Sequence, residues 1–128
     1  MRAQGKFSIT LHPELPYDAQ DGLSFGRVRV EKVFEGPLTG TSRVDMTTVA
    51  TPTPGAQAYV AVERFVGALE GRRGSFAMIH LGVMNSAGVE LSVRIVPGSG
   101  LGELAGITGT VSIQIREGQH YYELDYQG

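Results

Sequence analysis

Residues Tyr59–Gly82 read YVAVERFVGALEGRRGSFAMIHLG. Two runs rich in Val, Phe, Ile and Tyr flank a short polar segment, and such residues suit a pleated, half-buried strand. Glu70-Gly71 supplies a two-residue turn, because glycine takes a positive φ without a Cβ clash. That turn sets a register. Leu69 faces Arg72, Phe65 faces Phe76, Glu63 faces Met78, Ala61 faces His80 and Tyr59 faces Gly82. Period-two alternation places Tyr59, Ala61, Glu63, Phe65, Phe76, Met78 and His80 on one face. The other face carries Val60, Val62, Arg64, Val66, Ser75, Ala77, Ile79 and Leu81. Both faces are largely apolar, whereas a strand pair wetted on one side alternates more cleanly. One face is therefore expected to line an interior. The other is expected to be at least partly covered by another segment or a second subunit. Arg73-Gly74 is a competing turn that would shift the register.

Outward from this hairpin the pattern repeats. Gly5–Thr10 reads as a short first strand, with Phe7 and Ile9 alternating against polar neighbours. Leu11–Leu23, with Pro13, Pro16 and Asp21-Gly22, reads as a loop. Ser24–Glu35 and Leu38–Val49 read as long strands joined at Gly36-Pro37. Thr51–Gly55 is a loop, because Pro52 and Pro54 cannot donate to a ladder. After the central hairpin, Met84–Gly88 turns into a strand over Val89–Val96. Thr108–Arg116 and Gln119–Tyr126 form a last pair around Glu117-Gly118. Between them, PGSGLGELAGITG at 97–109 has glycines on both sides of Glu103–Gly106, which suggests one short helical turn near 101–106 plugging a barrel end.

This yields about eight strands in one domain over residues 1–128. An antiparallel sheet of eight strands removes its edges by closing, so an all-β, eight-stranded antiparallel barrel is expected, with a two-sheet sandwich as the competitor. Apolar residues make up 41% and charged residues 19% of the 128, enough for a core and too few charges for disorder. A net charge of -2 and a pI near 5.9 argue against nucleic acid as a partner. The absence of cysteine removes disulfides, thiolate zinc sites and a cysteine nucleophile. MRAQGKFSIT lacks a signal-peptide apolar region, and no run reaches membrane-spanning length, so a soluble cytoplasmic protein with no membrane partner is expected.

The ER-x-x-G-x-L-x-G-R-x-G-S-F run from Glu63 to Phe76, the G-x-G-E-L-A-G run from Gly100 to Gly106 and the closing YYELDYQ together resemble a known group. It is an uncharacterised bacterial family of small single-domain proteins whose barrel is similar to that of allene oxide cyclase. The early GKFSIT strand and the KVFEGPLTG turn fit as well, so the likeness spans nearly the whole chain. The resemblance implies an allene oxide cyclase-like barrel, frequent homo-oligomerisation in the wider superfamily, and no settled reaction. Related barrels close rings without a cofactor. The chain departs from the family pattern at Ile79, where a polar residue, often glutamine, is expected before His80. If that position serves a site, the site here is altered.

The residue-level chemistry is sparse. Glu63, His80 and Tyr59 share the expected interior face and are the candidate catalytic group. Imidazole titrates near neutrality, and a buried carboxylate must be hydrogen-bonded or protonated. The structural alternative is a packed histidine and an ion pair of Glu63 with Lys32 or a neighbouring arginine. Phe65, Phe76, Met78 and Tyr122 would line an apolar pocket. Glu103 would either close its mouth or cap backbone amides in the glycine-rich turn. His12 and His120 are expected in solvent, and no His-x-His or His-Glu-x-x-His spacing suggests a metal. GSGLGELAG lacks the Lys-Ser/Thr ending of a phosphate loop, and no cofactor is indicated. The expected activity is binding of a small hydrophobic molecule, with cofactor-free cyclisation or isomerisation within reach of such a site. A non-catalytic carrier or sensor, and a structural homo-oligomeric barrel filled by its own side chains, are the alternatives.

Overall fold

The computed structural model describes residues Met1–Gly128 and is built from strands alone. In chain order they are β1 (Arg2–Pro13), β2 (Asp18–Gln20), β3 (Leu23–Glu35), β4 (Leu38–Ala50), β5 (Gln57–Leu69), β6 (Arg72–Asn85), β7 (Gly88–Ile95), β8 (Leu101–Gly102), β9 (Thr108–Arg116) and β10 (Gln119–Gln127). β2 and β8 are short accessory segments on β3 and β6. The other eight run β1-β10-β9-β7-β6-β5-β4-β3, and β3 pairs back onto β1. The barrel is closed and every pairing is antiparallel. No helix is long and apolar enough to cross a membrane.

The register of the central hairpin is the one its turn dictates: Leu69 pairs Arg72, Phe65 pairs Phe76 and Tyr59 pairs Gly82. Glu70 and Gly71 have φ of 51° and 81°, the doubly left-handed turn that matches strand twist. Asp21-Gly22 forms the same kind of turn, with φ of 56° and 80°. Leu11–Leu23 is therefore not one loop. β1 continues to Pro13, opposite Val28, and β2 folds back on β3 through Asp21-Gly22. The prolines mark the ends of these segments, where a missing N–H costs least.

Each barrel strand turns alternate residues inward. Phe7, Phe34, Phe65 and Phe76 form a continuous ring stack with centroids 5.2, 5.6 and 5.0 Å apart. With Tyr122, Leu124 and Leu69 they make the main core. The 97–107 segment plugs this end of the barrel. Leu104 and Ile107 are fully buried, held over β6 by successive four-residue turns and by Ser99, whose hydroxyl accepts from the Ala77 amide at 3.0 Å. The expected helical turn is present only as those turns. Wall and plug meet across glycines: Gly40 pairs Gly67, Gly67 pairs Gly74 and Gly74 pairs Gly102. A Cβ on Gly67 would sit 2.1 Å from the Thr39 carbonyl oxygen, so this row lets the backbones approach.

One seam differs from the rest. β7 and β9 share a single register pair, Arg94 with Thr110, the shortest ladder in the barrel wall. From Gly88 to Val93, β7 pairs only with β6, and beyond Thr110, β9 pairs only with β10.

Candidate functional site

Four polar side chains meet inside the apolar lumen. Lys32 on β3, Ser42 on β4, Glu63 on β5 and His80 on β6 are all buried, and Glu63 is wholly so. Each sits on the inward parity of its strand, which brings four consecutive strands to one point. The Lys32 ammonium donates to Glu63 Oε1 at 2.9 Å, and the Ser42 hydroxyl donates to Oε2 at 2.5 Å. His80 Nε2 donates to Oε1 at 2.7 Å. Lys32 also lies 4.9 Å from the centre of the Phe7 ring, a cation–π contact that helps hold a charge out of water.

Burial alone would push the Glu63 carboxyl up. The His80 hydrogen bond, the Lys32 charge and the Ser42 hydroxyl outweigh it and hold the group below its ordinary 4.5. Glu63 is thus an ionised carboxylate with both oxygens engaged, and the nearest of its titratable neighbours is His80. With Nε2 committed to Glu63, the neutral imidazole presents Nδ1 as an acceptor. Nδ1 makes no hydrogen bond within the chain, while no fully enclosed polar atom is left without a partner. It therefore borders space that solvent can reach.

Tyr59 lies on the same face, its ring 6.5 Å from that of His80 and packed across Gly82, where a Cβ would collide with it. Burial first, and then the Glu63 charge, raise its phenol above 10.0, so Tyr59 is a hydrogen-bond donor rather than a base. Phe76, Met78 and Tyr122 line the small hollow beside the polar cluster, together with Val93, Val111 and Ile113 from the β7–β9 seam. Its free volume is about 10 Å³, room for one water at most. Larger hollows of about 510 and 520 Å³ lie outside, one by Lys6 and Arg116 and one by Arg29 and Arg64, as open polar furrows away from the cluster.

Some expected residues fall elsewhere. Phe65 is buried behind Phe76 in the core rather than at the hollow. The Tyr122 hydroxyl is spent on structure: it accepts from the Leu38 amide at 3.0 Å and lies 3.1 Å from the Glu35 carbonyl. Burial raises its phenol, opposed by the Leu38 amide and assisted by the Glu70 charge. Glu103 is exposed outside the lumen and accepts from the Arg73 amide at 3.0 Å, the capping alternative rather than a pocket mouth. His12 is exposed beside Glu31, whereas His120 is half-buried with its ring 5.2 Å from that of Phe7, drawn in by its inward parity on β10. Ile79 points outward, so its departure from the expected polar residue leaves the lumen unchanged. Ser42 was not foreseen. It is one of several hydroxyl residues on β4, and only its alternation with Val44 marks it as inward. No cluster of three or more His, Asp or Glu side chains is placed to hold a metal ion.

No curated protein matches the chain. A solved structure does: a protein with unknown function from the DUF3224 family of Shewanella oneidensis MR-1 is 40% identical, with a TM-score of 0.94 over 99% of this chain and 96% of that one. The family model described as "Protein of unknown function (DUF3224)" matches residues 3–126, and the chain belongs to that family.

Proposed function

We propose that the barrel is a receptor for a small, largely apolar molecule bearing one hydrogen-bond donor, which enters at the β7–β9 seam and is engaged by His80. The carrying observation is the unpartnered Nδ1 of His80 in a cluster whose other polar groups each have a hydrogen-bond partner. Buried polar groups are normally paired, so an acceptor kept free beside an apolar wall suits a guest. Phe76, Met78 and Tyr122 would form that wall, whereas Tyr59 lies outside the hollow. The present free volume of about 10 Å³ requires the seam to widen on binding. A seam joined by one register pair gives up few backbone hydrogen bonds on parting.

The same cluster could move a proton. Glu63 orients the His80 ring, and the free Nδ1 of the neutral imidazole would act as the base. Shape and one base suffice for a cofactor-free cyclisation or isomerisation, which fits the likeness to allene oxide cyclase barrels. The narrow lumen favours a second reading, a structural barrel in which the ion pair fixes strand register.

Phenol and toluene separate the two readings, because they share a shape and differ in one hydroxyl. Titrated into labelled protein and followed by NMR, phenol should shift the His80 ring and the Val93 and Ile113 methyl signals, and bind more tightly than toluene. The preference should vanish in His80→Ala. Equal binding of the two, or no shift with either, would sink the receptor reading and leave the structural one.

A further inference from the structure

The outer face of the central hairpin carries an apolar ribbon that nothing in the chain covers. Val60, Val62, Ile79, Leu81 and Val83 are 52%, 59%, 47%, 51% and 42% exposed. They are not scattered. Val60 pairs Leu81, and Val62 pairs Ile79, so four of them form a two-by-two block with Val83 at one end. Contiguous exposed apolar surface of this kind marks a contact site.

The rim of the ribbon identifies the occupant. Along one row of outward residues, Asp45 on β4 pairs Val62, Val62 pairs Ile79, and Ile79 pairs Arg94 on β7. Over these four strands the row reads acid, apolar, apolar, base, with Arg29 on β3 flanking Asp45. Neither Asp45 nor Arg94 has an ion-pair partner within the chain. The next row reads Thr47, Val60, Leu81, Ser92, polar at both ends. Such rows are complementary to their own mirror order. A two-fold axis running along the ribbon between β5 and β6 reverses each row in the facing copy. Val62 then meets Ile79, Val60 meets Leu81, and Asp45 meets Arg94 twice over. An axis across the strands would bring Asp45 near Asp45 or Thr47, with nothing gained.

We infer that the β5–β6 outer face is an isologous dimer interface with a second copy of this chain, its two-fold axis parallel to the strands and its register set by reciprocal Asp45–Arg94 pairs. The geometry is that of two sheets packed face to face with nearly aligned strands. The apolar block supplies attraction, and the charged rim excludes the slipped and crossed alternatives.

Sedimentation equilibrium on the full chain tests this through a charge swap. The wild type should dimerise below about 100 μM. Asp45→Arg or Arg94→Asp alone sets like charges against each other at two symmetric places and should weaken the dimer at least about tenfold. Asp45→Arg combined with Arg94→Asp should restore it to within about threefold of wild type. Far-UV circular dichroism checks that each variant folds. Should a reversed charge prevent folding, alanine substitutions at the same two positions should each weaken the dimer while the double alanine variant loses no more than either single, and additive losses would overturn the pairing. A monomer throughout, charge-reversed singles that associate as wild type does, or a charge-swapped double variant no tighter than its singles would each overturn the interface.

Discussion

Replacing the Glu63 carboxylate with an amide isolates the interaction at the heart of the lumen. Glu63→Gln keeps shape and one acceptor oxygen, enough for His80 or for Ser42 but not for both, and it removes the only carboxylate within 4.0 Å of the Lys32 ammonium. Lys32 is 8% exposed and cannot recover its charge solvation without opening the wall. Breaking a buried pair by deleting one partner costs about 3–5 kcal/mol, because the other charge stays buried alone. That is a large share of the roughly 5–15 kcal/mol that holds a domain together. For a chain of this length it corresponds to a fall in Tm of about 10–20 °C. Urea unfolding followed by circular dichroism should show the midpoint drop with the slope unchanged. Lys32→Met alone should be similarly harmful, since the carboxylate then keeps only Ser42 and His80. The two changes together should cost less than their sum by about 2–3 kcal/mol. Strict additivity, or a loss under about 1 kcal/mol for Glu63→Gln, would refute the claim that these groups are a buried ion pair in solution.

Acid should imitate that substitution. The Glu63 carboxyl titrates below its ordinary 4.5 when folded, so its contribution is complete above about pH 5 and is lost as the pH falls through the folded value. Thermal melts should show wild-type stability dropping across that range more steeply than Glu63→Gln does. At the plug, Gly67→Ala should destabilise by about 2–4 kcal/mol, since the new Cβ would lie 2.1 Å from the Thr39 oxygen and 2.8 Å from the Gly40 Cα. Gly71→Ala, with nothing within 4 Å and a φ of 81°, should cost only about 1 kcal/mol in the same urea assay.

The hairpins were legible because their turns are. Glu70-Gly71 and Glu117-Gly118 each place an acidic residue and a glycine at positive φ, and the pairings outward follow by counting. Asp21-Gly22 is the same signal, masked by Pro13 and Pro16, which drew the whole stretch toward a loop. Closure left no local mark. The register of Arg2 against Asp125 joins the two ends of the chain and depends on the accumulated twist of all the strands between. At the site, period-two alternation alone put Glu63 and His80 on one face. Lys32 was legible as the counter-charge a buried carboxylate requires. Its position two strands away, with Ser42 between, was not, because lateral reach across a curled sheet is not written in any one strand. Glu103 misled because a carboxylate beside glycines suits a mouth and a cap equally. Only the placement of the Arg73 amide decides between them.

The ladder on β1 bears on how this chain is made. Its first half bonds to β10 and its second half to β3, so β1 waits for a strand more than a hundred residues later in the chain. Lys32, Ser42, Glu63 and His80 all lie on strands that can zip as successive hairpins well before that moment. A growing chain on the ribosome would thus hold an assembled but unroofed charge cluster, wet until Phe7, Tyr122 and Leu124 arrive to seal it. The final drying of the lumen then waits on β10, and chains cut short before it would be open sheets with an unmatched border.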